Sequence, residues 1–177
     1  MIILSNGYVL DANSFINPYR DYYSFDFGMS FWDQLQIELR KSNIILLDVV
    51  RNEILKHSDD ELSKWIKNIK SVDIKRVKKE SMIIYYYGEV LNYIQTCGYY
   101  DMNALLNWAD PTIADAWIIA AATAYEFDIV TFEIKASRLS KLPKHQQKNA
   151  KIPDVARHFN IKCKSLFDFM RDMNFQL

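Results

Sequence analysis

The feature that most constrains this chain is a set of short, nearly all-apolar runs set far apart: Tyr8-Val9-Leu10, Asn43-Ile44-Ile45-Leu46-Leu47 and Asp128-Ile129-Val130-Thr131. A strand that is apolar on both sides is covered on both faces, as strands inside a parallel sheet are. A fourth run, Ile161-Lys162-Cys163-Lys164-Ser165-Leu166, joins them near the end. Between the runs, helical spacing relates Phe31, Leu35 and Leu39, then Leu62, Trp65, Ile66 and Ile69, then Ile83, Tyr87, Val90, Leu91 and Ile94. Strand and helix in alternation predict an α/β/α sandwich with a central, mainly parallel sheet.

With 177 residues, 50% of them hydrophobic, the chain is long enough to bury one full core and is read as a single domain over residues 1–177. Only four glycines and four prolines occur, and no linker, repeat or low-complexity tract divides it. The periodic pattern fails only between about 134 and 151, where a long polar, basic loop is expected.

The formal net charge is +0, so no global field draws the molecule to a polyanion, and such a ligand must be held by a local patch. Two patches are available. One comprises Lys64, Lys67, Lys70, Lys75, Arg76, Lys78 and Lys79; the other comprises Lys135, Arg138, Lys141, Lys144, Lys148 and Lys151. Each read alone is also compatible with a solvated surface. Cys97 and Cys163 form no C-x-x-C and read as packed thiols of a reducing compartment. No leader and no apolar run of the ~20 residues a membrane helix needs is present, so a cytoplasmic protein without membrane contact is expected.

Carboxylates stand where open parallel sheets gather their functional groups, at the carboxyl ends of the strands. Asp11 follows Tyr8-Val9-Leu10, Asp48 follows Ile44–Leu47, and Glu133 comes just after Ile129-Val130-Thr131. Asp48 and Asp110, the latter directly before Pro111, read as helix N-caps. Capping leaves Glu53 and Asp115 unexplained, since each lies five residues beyond its cap and Asp115 leads into the apolar run Ala116–Ala122. A carboxylate at the edge of a buried helix is costly unless it is paired or metal-bound. Several acids at one sheet edge repel and need a cation, and hard oxygen donors without neighbouring His or Cys suit Mg²⁺ or Mn²⁺. Such an ion activates water and clamps the oxygens of an in-line phosphoryl displacement, which points to phosphodiester hydrolysis with the basic stretches positioning the backbone.

In this order YVLDANSFI, VVRNEI, DAWIIAAATA and DIVTFE resemble the signature segments of the PIN-domain nucleases, and the tail KIPDVARHFNIKCKSLFDFMRDM is similar to the DUF4411 branch of PIN-like proteins. The resemblance covers nearly the whole chain. It implies a Mg²⁺- or Mn²⁺-dependent endoribonuclease, often the toxin of a bacterial toxin–antitoxin pair, with RNA as substrate, an antitoxin as protein partner and a second copy of the chain as a further candidate partner. By motif it makes Asp11, Glu53 and Asp115 the core metal ligands, Glu133 the fourth acid, and Asn13 and Thr131 supporting groups around them. Lys135, Arg138, Lys141 and Lys144 become the candidate RNA contacts. The family's usual aspartate after the threonine is Glu133 here, so Asp154 stays open as the residue that supplies or shares the fourth role, beside its reading as a first-turn helix acid. The position after Asp11, commonly threonine, is Ala12.

The remaining features carry less chemistry. His57, His145 and His158 lack ligand spacing and read as surface or packing residues. Tyr19, Tyr22, Tyr23, Phe25 and Phe27 crowd the segment after Asp11; a core cover, a partner surface and a stacking platform for bases are all compatible with them. Haloacid-dehalogenase chemistry would need an aspartate at Asn13, and a dinucleotide-binding fold a glycine-rich first turn. The alternatives that remain are an idle PIN-like binding module and a structure-specific DNA nuclease.

Overall fold

The computed structural model describes residues 7–56 and 60–177. His57 therefore lies outside the described residues. Strands β1 (Tyr8–Leu10), β2 (Ile44–Leu47), β3 (Ile74–Lys75), β4 (Asp128–Val130) and β5 (Cys163–Lys164) form one sheet in the order β3-β2-β1-β4-β5, and every neighbouring pair is parallel. The chain leaves β1 toward β2 and β3, then crosses to β4 on the other side. The order thus reverses between β1 and β4, and in open α/β sheets such a reversal opens a crevice at the carboxyl ends of the strands.

All residues of β1 and β2 are buried. Successive strand side chains point to opposite faces, so both faces of the sheet are covered and the α/β/α layering follows. The connecting helices are α1 (Asn13–Asn17), α2 (Met29–Glu38), α3 (Asp48–Lys56), α4 (Glu61–Asn68), α5 (Ser81–Thr96), α6 (Met102–Ala109), α7 (Asp115–Tyr125), α8 (Ile152–His158) and α9 (Leu166–Asp172). Helix α7 packs against β1, β4 and α5, and its run Ala116–Ala122 is buried throughout. Among the described residues no helix is long and apolar enough to cross a membrane.

One local expectation is corrected, and one strand is added. Asp110 does not cap a helix starting at Pro111. Its carboxylate accepts from the Thr112 N–H (2.8 Å) and its carbonyl from the Ile113 N–H (3.0 Å), closing a turn, so α7 begins only at Asp115. The reason is that an aspartate side chain satisfies a short turn as readily as a helix end. Strand β3 was not foreseen at all: it is two half-buried residues inside the first basic stretch, and it splits that stretch between α4, the strand and the turn Val77–Lys79.

The aromatic segment after α1 divides in two. Tyr23 stacks on Phe31 and Phe25 on Trp32, both with centroids 4.6 Å apart, and the Trp32 indole N–H donates to the Tyr23 carbonyl (2.7 Å). These rings cover the core. Tyr22 and Phe27 remain exposed. His158 stacks on Tyr93 at 3.8 Å, a packing role, and Cys97 and Cys163 are free thiols; burial pushes the Cys163 thiol up to about 12, so it stays protonated.

At the opposite end of β1 from Asp11, the Tyr8 hydroxyl donates to Asp172 (2.6 Å), and Lys164 pairs with the same carboxylate (2.7 Å). The contact ties α9 and β5 to the central strand. Asp172→Ala strands a buried hydroxyl and a partly buried ammonium, and is expected to cost about 1–3 kcal/mol in urea unfolding.

Candidate active site

Asp11 is the first residue beyond β1 and is 3% exposed. Its N–H donates to the Val130 carbonyl (3.0 Å), which carries the β1–β4 pairing one residue past the strand. Thr131, just after β4, donates its hydroxyl to Asp11 Oδ2 (2.8 Å) and accepts from the Glu133 N–H (3.0 Å). One hydroxyl therefore orients the carboxylate and fixes the turn that presents Glu133. Ser14 adds a brace, its hydroxyl donating to the Val130 carbonyl (2.9 Å), so the start of α1 is locked to the end of β4.

Glu53 comes from α3 and Asp115 is the first residue of α7. With Glu133 they line a cavity of about 270 Å³, to which Asn107, Trp108 and Lys151 also contribute. Asp11 does not line it but is buried near enough for these acids to act on it. The structure thus brings Glu53, Asp115 and Glu133 to one cavity at the carboxyl edge of the sheet, with Asp11 close by. The acids act on one another. Burial first, and the negative Glu53 and Glu133, raise Asp11 to about 6 against the pull of the Thr131 hydrogen bond. Burial, then Asp11, Glu133 and Glu53, raise Asp115 to about 7, with Lys151 opposing. The amino end of a helix favours an anion at Asp115, but here burial and the neighbouring acids outweigh it.

Glu133 Oε2 accepts from the Ile152 N–H (2.8 Å) at the start of α8, and Oε1 pairs with Lys151 (3.2 Å). Asp154 lies elsewhere. It is 4% exposed, its carboxylate accepts from the Ala136 N–H (2.8 Å), and it borders a separate cavity of about 540 Å³ between α5 and α8. Asp154 anchors the long loop to α8, whereas Glu133 is among the acids that raise Asp11 and Asp115.

That loop is tied at several points. Gln147 bridges to Tyr99 and Asp101 through its backbone, Gln146 donates to the Gly98 carbonyl, and Ala150 is buried. Its basic residues diverge. Lys135 shares a recess with Lys148 and Lys151 beside the acids, whereas Lys141 lies over the Tyr99 ring (5.1 Å) and Arg138 and Lys144 are carried farther along the loop. Asn13 is half-buried at the start of α1.

The donor set suits a hard divalent cation: carboxylate oxygens from separate elements, whose charges raise Asp11 and Asp115. Among the described residues no three His, Cys, Asp or Glu side chains form a ready-made metal cage. Lys151, Ser14 and the α6 residues Asn107 and Trp108 were not assigned to the site from sequence. Only Lys151 left a signal, as one member of a basic run.

Fold and site together define the class: an α/β/α protein with an acidic cavity at the carboxyl edge of a parallel sheet. The family model described as "Domain of unknown function (DUF4411)" matches residues 8–177, and the chain belongs to that family. Among solved structures the fold is similar to a chain in the crystal structure of VapBC2 from Rickettsia felis bound to a DNA fragment from their promoter, with a TM-score of 0.50, 17% identity and coverage of 89% of this chain and 97% of that one. No curated protein matches.

Proposed function

We propose that the protein is a Mg²⁺- or Mn²⁺-dependent endoribonuclease that hydrolyses phosphodiester bonds in RNA, the toxin of a pair whose partner is an antitoxin protein. The observation that carries the reading is the convergence of Asp11, Glu53, Asp115 and Glu133, drawn from four separate segments, at the β1–β4 crevice. Choice of RNA and of an antitoxin partner rests on the PIN-domain resemblance and on the fold shared with a chain of VapBC2.

Asp11, Glu53 and Asp115 are the groups that would hold the cation, with Glu133 as the fourth acid. When bound, such an ion lowers the pKa of water and offsets the charge that builds on the phosphodiester oxygens. Thr131 holds the Asp11 carboxylate in orientation, the kind of support on which ligand groups depend. Lys151 balances Glu133 and, with Lys135 and Lys148, offers positive charge to a phosphate backbone.

The test is incubation of purified protein with a mixed RNA panel, including structured transfer RNA, in Mg²⁺, Mn²⁺ or EDTA, beside Asp11→Asn. Metal-dependent cutting that is absent in the variant supports the reading. No cutting by either protein, with no measurable Mn²⁺ binding, replaces it with an idle binding module.

The two candidates for the fourth acid separate by titration calorimetry with Mn²⁺. Glu133→Gln is expected to weaken binding about 10-fold, on the scale of supporting groups around metal ligands, and Asp154→Asn to leave it within about 2-fold.

A further inference from the structure

Glu133 borders two cavities. On its other side lies a recess of about 350 Å³ whose walls include three aromatic rings, Tyr22, Phe132 and Phe167, with Ile134 at the rim. Tyr22 is 47% exposed and Ile134 83%. Their neighbours in sequence are accounted for: Tyr23 and Phe25 stack into the core, while Thr131 and Glu133 flank Phe132 and serve the acids. Core packing leaves the Tyr22 and Ile134 surfaces unexplained.

The three rings also touch one another. Tyr22 and Phe132 are within 15° of parallel with centroids 6.4 Å apart, and Phe167 stands edge-on to Tyr22 at 5.6 Å. Tyr22 is 47% and Phe167 36% exposed, so ring surface stays open to the recess and available to a planar group.

The recess continues into the rest of the site. Through Glu133 it adjoins the acid cavity, and through Ile134 it adjoins the recess lined by Lys135, Lys148 and Lys151. A ligand spanning all three surfaces must present anionic groups to the lysines and a flat apolar face to the rings. A nucleotide strand does both; an aromatic side chain of a protein partner meets only the rings.

We infer that Tyr22, Phe132 and Phe167 form a pocket for one unpaired nucleobase next to the phosphate held at the acid cavity. The inference rests on the nuclease reading for the position of the phosphate. A base inside a duplex has both faces covered by its neighbours, so only an unpaired base can offer one to the rings.

The test uses fluorescein-labelled 2′-O-methyl RNA heptamers, which resist cleavage, with an abasic site walked along them. Binding is read by anisotropy in Mn²⁺ for the wild type, Tyr22→Ala, Phe167→Ala and Tyr22→Trp. Each alanine variant is expected to bind about 10-fold more weakly, within the range that one stacked base contributes, and Tyr22→Trp to bind like the wild type. One abasic position should cause the same loss and make the ligand indifferent to Tyr22→Ala. Duplex of the same sequence should bind independently of Tyr22. Equal affinity of wild type and Tyr22→Ala, losses that add at every abasic position, or no binding at all overturns the pocket and leaves the rings to a protein partner. Cleavage of an unmodified strand, run alongside, keeps the two readings apart. A wild type that does not cut yet shows the coupled loss supports the pocket without the nuclease, whereas one that cuts with a KM unchanged by Tyr22→Ala overturns the pocket alone.

Discussion

Asp115→Asn is expected to lower the rate of metal-dependent RNA cleavage by about 10²–10³-fold, the scale on which loss of one preorganised electrostatic group acts. The substitution keeps the size of the side chain and one oxygen but removes its charge. Asp115 stands at the first residue of α7, where Asp11, Glu133 and Glu53 all act on it. Removing its charge therefore weakens the hold on a divalent cation without emptying the core. Thr131→Ala is the control at one remove: it frees the Asp11 carboxylate but deletes no ligand, and a smaller loss of about 10–100-fold is expected. Initial rates on a 5′-labelled RNA across a Mg²⁺ series check both. Asp115→Asn cleaving at the wild-type rate would remove Asp115 from the machinery.

The same acids make the metal-free protein less stable as pH rises. Asp11 is held at about 6 in the folded state against an ordinary 3.8. Between those values the folded state binds more protons than the unfolded one, so stability falls as pH climbs through that window and the full penalty is present above it. Asp115, raised to about 7, extends the decline toward neutrality. A shift of this size on a side chain as buried as Asp11 corresponds to about 2–3 kcal/mol. Other carboxylates, such as Asp168 and Asp172, are lowered by their partners and slope the opposite way, so the difference between wild type and Asp11→Asn is the quantity to measure.

In EDTA at pH 8, Asp11→Asn is expected to be more stable than the wild type by about 2 kcal/mol, and at pH 4 by almost nothing. Mn²⁺ at about 100 times its Kd should then stabilise the wild type by about 2.7 kcal/mol and the variant much less. Urea melts at the two pH values, with and without Mn²⁺, decide it. A difference that does not change with pH would mean that Asp11 carries no such strain.

Some of this was legible before any coordinates. Strands β1, β2 and β4 were readable because burial on both faces makes every residue apolar, a pattern that survives without partners. That Asp11, Glu53, Asp115 and Glu133 would come near one another was readable because open parallel sheets gather residues at the carboxyl ends of their strands. Strand β3 was not, since a two-residue edge strand with half-buried side chains has no periodicity to show, and β5 shrank from Ile161–Leu166 to Cys163–Lys164 for the same reason. Asp110 misled because turn and helix start use the same side-chain hydrogen bond.

What the sequence alone determined is the chemistry available: a parallel α/β scaffold, acids after two strands and in two helices, and a basic loop without its own secondary pattern. What only the tertiary structure decided is who meets whom. Glu133 takes the place beside Asp11 and Asp115 while Asp154 is drawn to Ala136, and Lys151 rather than Lys141 faces the acids. Tyr22 lies beside Phe132 across more than a hundred residues of chain, as do Thr131 and Asp11. Local pattern records how each residue sits on its own element, whereas the meeting of distant elements depends on strand order and on the reversal between β1 and β4, which no short window of sequence contains.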